Sequence, residues 1–466
     1  MSLQEKVSVK TKLNFSFGSL ANNILNGFVF GNITFFYHEK LAMDSELLGI
    51  AWLIFGIWNT INDPIASHII DNTRTKIGRR IPYIRYGSLF YCLTFIFCWF
   101  PIAKPGNQMG LFWNFLVVLF LLDTMFTIVG CCFYSLPNEI AFSGKERASL
   151  GLYGAVVNFI NIIIGLVLPI ILFTGVEGVH PYFGEIMITM GVMCGLILFI
   201  TSYGIKENLF AQMQPKESFI EGIKTTFKNK PFWNFMVAAF LTTLIFPIFS
   251  SGILFYIDYV VEGQNLIPFI LAFALGIILG LFTSQKMIKI WYSRKSTMIN
   301  FIIIAIGFIL LFIVGYNAYA AIFPFLLLGI GFSGIMVAII VLTGDAIDND
   351  ELITGKRREA IYGGINAIVT KPAISIANWL FLISLKGFGF VSPIVEDGVA
   401  IKQPQIDSAL RGIMFTFCLI PAIGLILSAI SLKWFPLDGP DWFEKKEELY
   451  KLHLQKEIEY LNEFQK

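Results

Sequence analysis

Asp63, Asp123 and Lys371 fall well inside long apolar runs of this 466-residue chain, where charge is otherwise scarce. At that depth in a bilayer a charged side chain costs about 2.5–3.5 kcal/mol on insertion scales, so it is kept where it has a task. Asp63 stands in Trp58-Asn59-Thr60-Ile61-Asn62-Asp63-Pro64, which puts Asn59 and Asp63 four apart on one helical face. Pro64 has no N–H to give the carbonyl of Thr60, one turn earlier. A carboxylate, an amide oxygen and a freed carbonyl then converge, a set that suits a small cation stripped of water. Lys371 repeats the pattern: Pro372 follows it and frees the carbonyl of Ile368, and Asn366 and Thr370 lie nearby. The acid and the base could compensate each other across a central cavity; the plainer alternative is a buried ion pair that only sets helix register. The two prolines and the polar neighbours favour the functional reading. Asp123, in Leu121-Leu122-Asp123-Thr124, either lines the same cavity or hydrogen-bonds to Asn22, Asn23 or Asn26.

The elements that must hold these residues are membrane helices. Hydrophobic residues make up 56% of the chain and charged ones 14%, against about a quarter charged in a soluble domain. Apolar runs of spanning length lie at about 15–37, 46–70, 82–101, 111–134, 150–174, 184–204, 231–258, 265–286, 297–315, 317–343, 359–385 and 409–435. The expectation is an all-α membrane protein of twelve transmembrane helices. Lys and Arg gather in alternate connections: Arg74, Lys76, Arg79 and Arg80 in the second, Lys286, Lys289, Arg294 and Lys295 in the eighth. Both termini and the even connections are therefore expected in the cytoplasm.

The long polar stretch 205–230 splits the helices six and six, and the basic second connection has a counterpart in the eighth. The expected organisation is a six-helix bundle over 1–204, a cytoplasmic central loop over 205–230, a second bundle over 231–435 and a cytoplasmic tail over 436–466. The apolar part of the first run is too long for a cleaved signal, so that helix is expected to stay.

The acidic run Asp345, Asp348, Asp350 and Glu351 lacks the glycine of a calcium loop, whose place is taken by Ile353. With Lys356, Arg357 and Arg358 it reads as a cytoplasmic network able to pair with Arg74 and Arg79 of the second connection; a solvated loop is the bland alternative. The net charge of +2 gives no support to nucleic-acid binding. The six cysteines sit in apolar runs and form neither a disulfide framework nor a metal pattern. Phosphate-loop, zinc-protease and nucleophile-elbow motifs are absent, and the four histidines do not cluster in sequence, so an enzyme is not expected.

The stretch from Asn62-Asp63-Pro64-Ile65 through Asp71-Asn72-Thr73-Arg74-Thr75-Lys76-Ile77-Gly78-Arg79-Arg80 to Pro82-Tyr83-Ile84 resembles a signature of the glycoside–pentoside–hexuronide:cation symporters, within the major facilitator superfamily. The run from Gly344-Asp345 to Arg358-Glu359 is similar to that family's connection between helices 10 and 11. The resemblance implies two bundles with alternating access. It places Asp63 on a cation-site aspartate, Asn62 and Thr127 on its polar neighbours, and Lys371 on a lysine near both sites. A second cation-site aspartate is Asn59 here. The two acidic sugar-binding positions are Asn23 and Gly130, the family's arginine is Ala155, an aromatic survives as Tyr134, and a tryptophan becomes Met336.

The function expected is cation-coupled symport of a sugar or glycoside at the cell membrane. Asp63, Asn59, Asn62 and Thr127 would take the cation, and Asn23, Tyr134, Lys371, Asn366 and Asp123 the substrate. Arg74, Arg79, Asp345, Asp348 and Arg358 would gate. Loss of the sugar-binding acids and the arginine argues against a melibiose-like galactoside, whereas Asn22, Asn26 and Asn378 could bind another sugar. No cofactor is expected beyond the coupling ion, H+ or Na+. One carboxylate in place of two slightly favours the proton. A lysophospholipid or other amphipathic solute is the alternative cargo, and a receptor or scaffold that has lost transport is the second alternative.

Overall fold

The computed structural model describes residues 7–140, 144–205, 226, 229–354, 359–442, 444–449 and 451. Arg358, most of the central connection and the far end of the tail lie outside them. All twelve apolar runs fall on helix. In chain order the helices are α1 (Val9–Phe35), α2 (Ser45–Asn72), α3 (Ile81–Trp99), α4 (Gln108–Ile140), α5 (Gly144–Phe173), α6 (Phe183–Gly204), α7 (Lys230–Phe255), α8 (Ile267–Val314), α9 (Ile322–Thr354), α10 (Glu359–Gly387), α11 (Asp407–Met414) and α12 (Ile420–Leu432). The eighth and ninth runs share α8, which breaks at Tyr292, where φ is +59°. The twelfth run is α11 and α12 joined by a π-helical turn at Phe415–Leu419.

Local sequence explains the boundaries. The Ser8 hydroxyl accepts from Thr11 N and starts α1, while the Asp44 carboxylate accepts from Glu46 N and Leu47 N and starts α2. Pro82, Pro268 and Pro421 sit in the first turns of their helices, where a missing N–H costs nothing. α1 and α7 each end in a π-helical turn, Phe36–Lys40 and Tyr256–Val260. One small hairpin, β1 (Ile394–Glu396) with β2 (Val399–Ile401), was not anticipated from the sequence; it lies between α10 and α11 and pairs antiparallel around Asp397-Gly398.

Among the described residues nine helices are long and apolar enough to cross a membrane, α8 counting once. α1 and α2 have the length, at 27 and 28 residues, but are more polar. Their asparagines, threonines and Asp63 are the reason, and these are residues already singled out for chemistry.

The chain forms two compact units. The first comprises Met1–Lys216, Pro247–Glu262 and Ile374–Thr416; the second comprises Glu217–Phe246, Gly263–Ala373 and Phe417–Lys466. In the first, α1 packs on α5 and α6, α3 on α4 and α6, and α2 on α4. One end of this unit is a nest of rings: Phe36 lies 5.3 Å from Trp99 and 5.4 Å from Phe183 between centroids, and Tyr37 lies 5.0 Å from Phe115. At the other end buried Lys12 pairs with Glu146 at 2.8 Å and fastens α1 to α5. In the second unit α8 crosses α9 through glycines. A Cβ on Gly280 would stand 2.1 Å from the Ser333 hydroxyl oxygen and 2.2 Å from the carbonyl oxygen of Ile330, so only a glycine lets the two helices come this close.

Candidate functional site

The packing of α2 on α4 brings together Asn62 and Asp63 from one helix and Asp123 and Thr127 from the other. Asp123 and Thr127 are four apart and share a face of α4. The Thr127 hydroxyl donates to Asp63 Oδ1 at 2.9 Å and accepts from Asn62 Nδ2 at 3.0 Å. The same Nδ2 donates to Asp123 Oδ2 at 3.0 Å. Both N–H groups of the amide are thus spent on α4, leaving the Asn62 carbonyl oxygen as an acceptor. Asp123 is 1% exposed, Thr127 2% and Asn62 3%, whereas Asp63 is half-buried. Asn59, one turn before Asp63, is 1% exposed. Oxygen atoms of two carboxylates, two amides and a hydroxyl therefore gather over a few turns of two helices. Hard oxygen donors of this kind hold a small cation or a proton.

The other residues singled out from the sequence are dispersed. Asn23 donates to Asn158 Oδ1 at 2.8 Å and ties α1 to α5. The Oδ1 atoms of Asn22 and Asn26, on the same helix, are buried and accept no hydrogen bond among the described residues. Tyr134, on α4 four residues past Gly130, is 74% exposed. Asn366 and Lys371 are half-buried on α10, and the Thr370 hydroxyl bonds back to the Asn366 carbonyl at 2.8 Å. Asn378 is taken up internally: its Oδ1 accepts from the Thr34 hydroxyl at 2.7 Å, and that hydroxyl accepts from Trp52 Nε1 at 3.0 Å. Arg74 bonds to the carbonyl of Thr73 at the end of α2, while Arg79 and Asp348 are half-buried. Asp345 is fully buried and accepts from Lys446 of the tail. A cavity of about 90 Å³ beside that contact is lined by Tyr292, Val341, Trp442 and others of the second unit.

The sequence profile of the family described as MFS/sugar transport protein matches residues 14–439. The chain belongs to this family. Curated relatives span nearly its whole length: an isoprimeverose transporter of Lactiplantibacillus pentosus is 22% identical over 92% of this chain and 88% of its own. A putative glycoside/cation symporter of Escherichia coli (strain K12) is 21% identical over 90% of each. Among solved structures, the inward-open xylose transporter XylE from E. coli superposes with a TM-score of 0.63 over 94% of this chain and 98% of that one, at 12% identity. That likeness carries the major facilitator fold. The protein is accordingly a multi-pass integral membrane transporter and not an enzyme.

One group of residues in the transporter was invisible in the sequence. At the ring-lined end of the first unit, His38 Nδ1 lies 2.6 Å from Glu39 Oε1 and its Nε2 lies 2.7 Å from the Ser45 hydroxyl. The Tyr259 hydroxyl, in the π turn after α7, donates to the other Glu39 oxygen. Next to Tyr259, Asp258 accepts from Gly175 N at 3.0 Å, and Lys402 binds the Asp258 carbonyl and Glu262. Lys40 donates to the Val176 carbonyl at 2.9 Å. Burial pushes the Lys40 ammonium below its ordinary pKa, and the carboxylates of Asp258 and Glu39 oppose that shift. His38, Glu39, Lys40, Asp258 and Tyr259 are all buried. Two π turns from distant parts of the sequence are stapled by ionisable groups, a place where such turns often carry function.

Proposed function

We propose that this transporter is a cation-coupled symporter that carries a sugar or glycoside across the cell membrane by alternating access. It would use twelve spans with both termini in the cytoplasm, α8 supplying two of them on either side of Tyr292. The observation that carries the reading is the bonded chain Asp63–Thr127–Asn62–Asp123 between α2 and α4. A carboxylate inside a membrane span changes its charge when it takes H+ or Na+, and that change is what a coupled carrier needs to sense. In this reading Asp63 takes the cation, Asn62 and Thr127 orient it, and Asn59 lends an oxygen. Asn23, Tyr134, Asn366 and Lys371 face the substrate. The unpaired acceptors Asn22 Oδ1 and Asn26 Oδ1 suit a cargo rich in hydroxyl donors, since a buried acceptor without a partner costs about 1–3 kcal/mol. Arg74, Arg79, Asp345, Asp348 and Arg358 act at the cytoplasmic gate, and the His38–Glu39–Tyr259 group closes the opposite side.

The names of the relatives support a glycoside cargo. Uptake of labelled pentoses, hexoses, glycosides and lysophospholipids into proteoliposomes, under an imposed proton or sodium gradient, tests the reading. A sugar or glycoside accumulating only with a gradient is the expected result. Accumulation of lysophospholipid alone, or of nothing, contradicts it.

A further inference from the structure

We infer that the connection between α10 and α11, residues 388–406, is a lid latched over the side opposite the termini, and that cargo enters there only after it lifts; the inference rests on the alternating-access reading above. The lid and everything it rests on belong to the first unit. The lid keeps its own shape. Asp397 and Gly398 hold φ at +49° and +80°, the two left-handed residues that a tight hairpin turn requires, and they join β1 to β2. Gln405 closes the base: it accepts from Val391 N at 2.9 Å and donates to the Val391 carbonyl at 2.8 Å. Phe388 pins that base to α11, where a Cβ on Gly412 would stand 2.4 Å from Phe388 Cβ.

A two-stranded hairpin is marginal by itself in water, so its seat decides where it lies. Val395 rests on the connection between α3 and α4, where a Cβ on Gly106 would stand 3.0 Å from its Cγ2. Val399 rests on the connection between α5 and α6, with its Cγ1 3.0 Å from the place of a Cβ on Gly178. Lys402 reaches the π turn after α7: it donates to the Asp258 carbonyl, pairs with Glu262 at 2.8 Å and lies 4.4 Å from the centre of the Tyr259 ring. The Ser392 hydroxyl lies 3.5 Å from His38 Nε2, beside the start of α2. One connection thus spans three others and the end of α7.

The seat has the chemistry of a joint that opens. The Lys402–Glu262 pair is at the surface, its side chains 28% and 64% exposed, and such pairs hold weakly. Beneath the lid, His38, Glu39, Ser45 and Tyr259 are buried and bonded to one another. Polar groups of this kind exchange their bonds for bonds to water at small net cost. An aliphatic seal would instead lose the burial of its whole surface.

The test uses the full-length protein in proteoliposomes under an imposed gradient. Gly106→Cys/Val395→Cys would set two Cβ atoms 3.5 Å apart, within the span of a disulfide. Oxidation of this pair is expected to abolish uptake of a transported sugar, and reductant to restore it. The reduced pair carries the same left-handed backbone at position 106 and is the control. Equal uptake by the bridged and reduced forms overturns the inference. A second measurement needs no bridge. Lys402→Met removes the charge that seats the lid, and Ser250, on α7 before the π turn, bonds to the Gly31 carbonyl of α1 at 3.1 Å. In intact cells a membrane-impermeant maleimide is expected to label Ser250→Cys about twofold or more faster when Lys402→Met is present, over the background of the six native cysteines. Equal rates overturn the inference. Wild type that accumulates sugar while neither change has an effect sinks the lid and leaves the transport reading standing; wild type that accumulates no sugar sinks that reading itself.

Discussion

Thr127 holds the candidate site together, because its one hydroxyl accepts from Asn62 and donates to Asp63. Thr127→Val keeps the shape and removes both bonds, at about 1–3 kcal/mol for the pair. Its melting temperature should fall below wild type and its gradient-driven uptake should drop, with Thr127→Ser restoring both; a Val variant indistinguishable from wild type would contradict this. At this scale the sequence is legible where a residue violates its surroundings. Asp63 stands out as an acid in an apolar run with a proline behind it. Asp123 stands out equally, but its partner does not. Rotation and register between helices are not written in one run, and three asparagines of α1 compete on paper with the Asn62 that bonds it. Asn378, whose polar type suggests a sugar contact, accepts from Thr34 in the fold, a bond that the sequence does not show.

The helices themselves follow from hydropathy, and the irregularities inside them follow from prolines and from contacts the sequence does not show. The unit boundary passes through α7 at Pro247 and through α10 just after Pro372, and it passes between α11 and α12 at the π turn Phe415–Leu419. Each crossing thus coincides with a break in helical hydrogen bonding, where a helix bends at least cost. Pro372 is visible from sequence as a neighbour of Lys371, whereas the π turns are not, because a five-residue shift of hydrogen bonding has no residue signature. His38 and Glu39 read as an ordinary run end for the same reason. Tyr259→Phe, which removes the hydroxyl on Glu39, should destabilise by about 1–3 kcal/mol and lower the melting temperature measurably; no change would show that the staple is idle. At the α8–α9 crossing, Gly280→Leu forces a side chain between touching backbones. About 1–3 kcal/mol or more of overpacking is expected, read as reduced yield of folded protein and earlier unfolding, and normal yield and melting would contradict the close approach.

For the whole molecule, composition settles the solvent, and the family match over residues 14–439 settles the class. Charge scarcity then does the sorting: in a chain with 14% charged residues the few acids away from the connections stand for function. What the sequence leaves open is which of them work together. The fold gathers Asp63 and Asp123 in one unit and draws Asp345 to Lys446 of the tail, a partner that sequence distance hides. Coupling of the cation to the cargo is proposed to run through Asp63. It is tested most directly by the steady-state accumulation ratio of a transported sugar in proteoliposomes carrying wild type or Asp63→Asn, under the same imposed gradient. Wild type should concentrate the sugar, and Asp63→Asn should bring it only to equal concentrations on both sides. Accumulation by Asp63→Asn equal to that of wild type would contradict the account.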